Sequence, residues 1–97
     1  AYPGSELHRQ FSNNKPEVLP ENSGVGWVGY SQHSYECCPL PTAHLKNSDV
    51  LAFRDHAFKK YFTNETYINR MANKWGPNFR NEINRMLSIT LSRKILE

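Results

Sequence analysis

The chain is poor in cysteine, in aliphatic side chains over its first half, and in long apolar runs. Only Cys37 and Cys38 occur among its 97 residues. Two adjacent cysteines do not make a disulfide framework, and sequence neighbours rarely bridge each other because the link strains the sulfur geometry. A reducing cytoplasm, with both residues kept as thiols, fits best. No apolar stretch approaches the roughly 20 residues of a membrane-spanning helix. The opening AYPGSELHRQ lacks the basic-then-apolar order of a secretory leader. The expectation is a cytoplasmic chain, monomeric as an isolated piece, with no membrane partner.

Apolar residues make up 38% of the chain, against about 45–50% in ordinary soluble domains. The shortfall is uneven. Residues 1–49 hold most of the proline and glycine, and residues 50–97 hold most of the combined Leu, Ile, Met and Phe, including all of the Ile and Met. Charge divides along the same line. Residues 1–49 carry three Lys/Arg against five Asp/Glu, a net of −2, and residues 50–97 carry nine against four, a net of +5. A basic helical half can face phosphates or an acidic partner. Its cations are spread over three helical patterns without the dense run of a nucleic-acid tail, so a solvated exterior is the better reading.

The pattern predicts a mainly α chain, with a small three-helix C-terminal bundle preceded by a loop-rich, extended N-terminal half. Residues 1–26 read as the mobile tail end of a larger barrel domain: a strand end, a Pro-Gly turn, a short helix opening at Ser5, then loop over residues 12–26. Ser5 can cap that helix, with His8 where a capping box wants Glu. Residues 27–97 read as a helical accessory domain whose first part, residues 27–46, is extended and aromatic. Pro39 and Pro41 forbid helix there. A first long helix is expected from Ser48 to Phe62, with Val50, Phe53, Ala57 and Tyr61 on one stripe. A second restarts at Thr63 and Asn64 and runs to the Gly76-Pro77 stop. A third runs from Pro77 to near Ile95 on Phe79, Ile83, Met86, Leu87 and Leu91.

Four runs carry a family resemblance: GYSQHSYECCPLPT, LKNSDVLAFRDHAFKKYF, NETYINRMANKWG and the closing SRKILE. Together they resemble the C-terminal region of cobalamin-dependent radical SAM enzymes, in the group that includes the anaerobic magnesium-protoporphyrin monomethyl ester cyclase. The matching pieces are PLPT before the first helix, VLAFRDHAF followed by Tyr61-Phe62, and Arg93-Lys94 next to Ile95-Leu96. The opening YPGSEL, Tyr2 to Leu7, is similar to the phrase at the last strand and helix of the family's barrel. Two departures stand out. Lys46 occupies a position where the family often has a Ser or Thr cap, and Trp75-Gly76 replaces Phe-Gly.

The resemblance implies a parent enzyme with a [4Fe–4S] cluster, S-adenosylmethionine and cobalamin. It implies a partner in the radical SAM barrel of the same parent chain. The chain itself has neither the CxxxCxxC loop whose three thiolates hold such a cluster nor a DxHxxG cobalamin motif. It is therefore expected to carry no catalytic, cofactor-binding or metal-binding residue of its own. The parent reaction stays open between methyl transfer, cyclisation and a related oxidoreduction.

Tyr30, Gln32, His33 and Tyr35 are the candidate substrate-access residues, since segments following barrel strands lie over the mouth where barrel active sites sit. The same aromatics can equally pack inward as a structural clasp, and the two roles can coexist. Cys37 and Cys38 with His33 and His44 match no zinc spacing, and alternate residues of an extended chain point apart, which disfavours a shared metal. Asp55 is expected to pair with Lys59 one turn on, and Trp75 to plug the core at a helix end. The alternative function is a small helical module for protein or nucleic-acid interaction. A helix-turn-helix is the nearest nucleic-acid geometry, and no recognition helix is evident.

Overall fold

The computed structural model describes residues 1–97. Four α-helices and no β-strand are present: α1 Glu6–Asn14, α2 Asn47–Phe62, α3 Glu65–Trp75 and α4 Asn78–Leu87. Short 3-10 turns occupy Pro16–Val18, Trp27–Tyr30 and Lys94–Leu96. The chain is thus mainly α, as its pattern predicts. No helix is long and apolar enough to cross a membrane. Two compact units form, one from residues 1–52 and 91–97, the other from residues 53–90.

In the first unit, Ser5 caps α1: its hydroxyl oxygen accepts from the His8 N–H at 3.2 Å and donates to the Tyr2 carbonyl at 2.7 Å. No strand precedes it. The helix also runs past Ser12 through Asn14, where composition reads as loop, and closes with the Lys15 N–H on the Phe11 carbonyl at 2.8 Å. The unit's core is Leu19, Pro20, Cys37, Cys38 and Leu51, with Leu51 fully buried. Residues 27–30, expected to be extended, form a 3-10 turn. Gly29 makes that turn possible. A Cβ there would lie 2.7 Å from the Pro20 Cβ and 3.0 Å from the Val25 Cγ1, so only glycine lets the backbone close over the buried proline ring. The Cys38 N–H then donates to the Gly29 carbonyl at 2.8 Å.

The PLPT phrase ends in a turn set by Thr42, whose hydroxyl accepts from the N–H groups of His44 and Leu45 at 3.3 and 3.0 Å. α2 begins beyond it at Asn47. The Asp49 carboxylate accepts from the Lys46 N–H at 3.1 Å, which offsets the absence of a Ser or Thr cap at Lys46.

In the second unit, α3 starts at the Asn64 cap, whose side-chain oxygen accepts from the Tyr67 N–H at 3.0 Å. It stops at Gly76, which takes φ 96°, a left-handed conformation that glycine adopts without penalty. α3 packs on α4, burying Ile68 and Ile83. A ladder of rings runs from Phe58 through Phe62, Tyr61 and Tyr67 to Phe79, with centroids 4.6 to 6.2 Å apart. Such edge and tilted contacts are the favoured geometry of aromatic pairs.

Four further expectations are corrected. The last helix ends at Leu87, not near Ile95: the Ser88 hydroxyl donates to the Arg85 carbonyl at 2.6 Å, and its N–H closes on Asn84 at 3.0 Å. Trp75 is no core plug but is 66% exposed, with the Lys74 ammonium 5.1 Å from its ring centre. Asp55 lies 3.6 Å from its neighbour Arg54, an ion pair that the Asp55–Lys59 reading missed. Phe53 on the expected apolar stripe of α2 is 72% exposed.

Candidate functional site

The four candidate residues all fall in the first unit, but they do not converge on one point. Tyr30 sits at the end of the 3-10 turn and is half-buried. Its hydroxyl donates to Glu21 Oε2 at 2.5 Å, and Glu21 Oε1 lies 2.8 Å from His8 Nε2. The Tyr30 ring has Trp27 stacked on it at 5.9 Å, with Tyr2 and His8 tilted against it at 6.3 and 6.1 Å. The Gln32 amide donates to the Tyr2 hydroxyl at 3.2 Å and so joins the edge of this cluster.

The electrostatics of the cluster follow from that wiring. Burial raises the Tyr30 phenol far above its ordinary value of 10.0, and the hydrogen bond to the Glu21 carboxylate and its charge push the same way. Burial pushes Glu21 up as well. The hydrogen bonds from Tyr30, from its own backbone and from His8, with the His8 charge, outweigh this and hold its carboxyl below 4.5. Tyr30 is a donor and Glu21 an acceptor across the neutral range, so the pair is a fixed brace with no proton to exchange there.

Tyr35 faces elsewhere. Its hydroxyl donates to Glu97 Oε2 at 2.6 Å, and its carbonyl accepts from the Lys94 N–H at 2.9 Å. Its phenol is raised chiefly by the Glu97 hydrogen bond, then by desolvation and by the charges of Glu97 and Glu36. Arg93 completes this fastening. It is only 4% exposed, and its guanidinium donates to the Gln32 and Ser34 carbonyls at 2.9 and 3.0 Å. Residues 91–97 therefore strap the turn at residues 31–36 from about sixty positions away. His33 stands exposed on that turn.

Sequence reasoning found Tyr30 and Gln32 but missed their partners Tyr2, His8, Glu21 and Trp27. His8 reads from the sequence only as a poor capping-box residue, and no spacing rule links it to Glu21. Arg93 was visible only as part of a motif, not as the buried anchor of the turn.

Cys37 and Cys38 are both buried and no disulfide joins them. Cys38 Sγ accepts from the Asn47 amide at 3.4 Å. Two inward-packed thiols do not supply the three cysteine ligands of a [4Fe–4S] cluster, and no group of three or more His, Cys, Asp or Glu residues is placed to hold a metal. The residues of this chain do not fit the cluster. No family model, curated protein or solved structure matches the chain.

Proposed function

We propose that the chain is the C-terminal accessory region of a cobalamin-dependent radical SAM enzyme. In this reading it caps the barrel of its own parent chain, shapes substrate access and performs no chemistry itself. The motif resemblance is the basis. The observation that supports it most is the strapped turn: Arg93 and Lys94, one of the resembling motifs, hold residues 31–36 through the Gln32, Ser34 and Tyr35 carbonyls. The side chains of Gln32, Ser34 and Tyr35 bond within the unit, while His33 is exposed on the turn and Trp27, nearby in sequence, is 65% exposed, so both are open to an external surface. A cover over a barrel mouth needs that combination of fixed backbone and open side chains. In the whole enzyme α2, α3 and α4 would close as the three-helix bundle, the 27–46 segment would lie along the barrel, and the protein would work in the cytoplasm. Cluster, S-adenosylmethionine and cobalamin would all be held by the parent, which would carry out the methyl transfer, cyclisation or related step.

The test is His33→Ala and Trp27→Ala in the full-length enzyme. Turnover should fall while iron content and the cluster spectrum stay at wild-type levels. Unchanged turnover in both variants would contradict the cover.

A second reading, a small helical interaction module, is favoured by the exposure of Phe53 and Trp75 in the second unit. A salt-dependent spectral shift on adding DNA or RNA would support its nucleic-acid form.

A further inference from the structure

Residues 53–90 carry seven Lys/Arg against three Asp/Glu, a net of +4. Each of the three acids lies beside an arginine: Asp55 by Arg54 at 3.6 Å, Glu65 by Arg80 at 3.1 Å and Glu82 by Arg85 at 2.7 Å. The excess is therefore carried by Lys59, Lys60, Arg70 and Lys74. Two of these line a cleft of about 630 Å³ where the end of α2 meets the start of α3, together with Tyr61, Asn64, Thr66 and Tyr67. No carboxylate lines it.

The wall between the cations is aromatic. The Tyr61 and Tyr67 rings lie 4.6 Å apart at 46°, and Tyr67 is braced from behind by Phe62 and Phe79. Desolvation raises the Tyr67 phenol, and the hydrogen bond to Tyr61 with its charge adds to the rise, so Tyr67 adds no negative charge near pH 7. The Asn64 side-chain oxygen is committed to the Tyr67 N–H, which leaves its amide as a donor. The Thr66 hydroxyl is a further donor. The lining is thus two positive charges, neutral hydrogen-bond donors and two ring surfaces, in a volume usual for small-ligand sites.

We propose that this cleft binds a phosphate monoester attached to a flat ring, the chemistry of a nucleoside monophosphate. Lys60 and Arg70 meet the dianionic phosphate, Arg as a planar fork and Lys as a point charge. The Tyr61–Tyr67 wall takes the ring by stacking. The site is independent of the barrel-cap reading, since it uses none of Tyr30, Gln32, His33 or Tyr35.

The test is a titration of the 97-residue chain with AMP at fixed ionic strength, followed by amide shifts in ¹H–¹⁵N spectra. Shifts should cluster at Lys60, Asn64, Thr66, Tyr67 and Arg70. Adenosine and inorganic phosphate, each lacking one half of the ligand, should bind at least about tenfold more weakly. Lys60→Ala and Arg70→Ala, both at exposed positions, should each weaken AMP by about tenfold without changing the spectrum elsewhere. A single-stranded oligonucleotide that shifts the same residues and binds more tightly than AMP would assign the ring and phosphate to a nucleic-acid strand, and weaker binding would assign them to a free nucleotide. Inorganic phosphate or an acidic peptide binding as well as AMP would overturn the proposal, as would shifts outside the cleft or none.

Discussion

The two units hold themselves together in different ways. The first has few helical turns, and its core mixes Leu19, Pro20, Cys37, Cys38 and Leu51 with one buried arginine. Its fastenings are single polar contacts between residues far apart in sequence: His8 to Glu21, Tyr30 to Glu21, Arg93 to the 32 and 34 carbonyls, Tyr35 to Glu97. The second unit is helical, buries Ile68 and Ile83, and relies on a ring ladder and on caps at Asn64 and Gly76. Buried polar contacts are costly to break one at a time, because the partner left behind is unsatisfied. Helix packing spreads the same work over many small terms. A unit built the first way fixes the shape of a turn closely, and one built the second way tolerates change at its surface.

Trp27 and Trp75 report on the two units separately, which makes the contrast measurable by urea unfolding of variants that keep one tryptophan. The largest effect is expected for Leu51→Ala in the first unit. Its side chain is fully buried, and a truncation of this kind costs about 2–5 kcal/mol. Arg93→Ala comes next, at about 2–4 kcal/mol, since it removes two charge-assisted bonds and leaves the Gln32 and Ser34 carbonyls without them. The Trp27 transition should move well ahead of the Trp75 transition; equal movement would mean that the strap is not specific to the first unit.

Gly29→Ala should cost about 1–3 kcal/mol, because the new methyl meets the buried Pro20 ring at 2.7 Å and the ring cannot rotate away. A smaller effect distinguishes the Glu21 brace. The Glu21 carboxyl is held below its ordinary 4.5 in the folded chain. Its contribution is therefore full above the ordinary carboxylate range and is lost as pH falls through the folded value. Glu21→Gln should flatten that acid limb of the stability profile for the first unit only. Trp75→Ser should change stability by no more than about 0.5 kcal/mol, since the ring is two-thirds exposed. A loss above about 2 kcal/mol would restore Trp75 to the core.

Local signals were legible in the sequence and distant ones were not. Ser5, Asn64 and Gly76 set helix ends through bonds spanning three or four residues, and each lies where its residue type predicts. The end of α4 is hidden in the sequence because Ile89 and Leu91 continue an apolar spacing. The helix ends with its cap at Ser88, whose hydroxyl donates to the Arg85 carbonyl, and Arg93 and Lys94 bond residues 32–35, contacts that no window of neighbouring residues contains. The half poor in aliphatics still builds a core because proline, two cysteines and a glycine contact fill the space that leucine would. Tyr30 was identifiable as an aromatic in an unusual setting. Its function as a brace depends on Glu21, nine residues before it, and on His8, thirteen residues before Glu21.

The most direct measurement is to sequence the gene upstream of the codon for Ala1. A cobalamin-dependent radical SAM parent requires an open frame continuous with this chain that encodes a CxxxCxxC loop. A continuous upstream frame without that motif, or none at all, would contradict the proposed function.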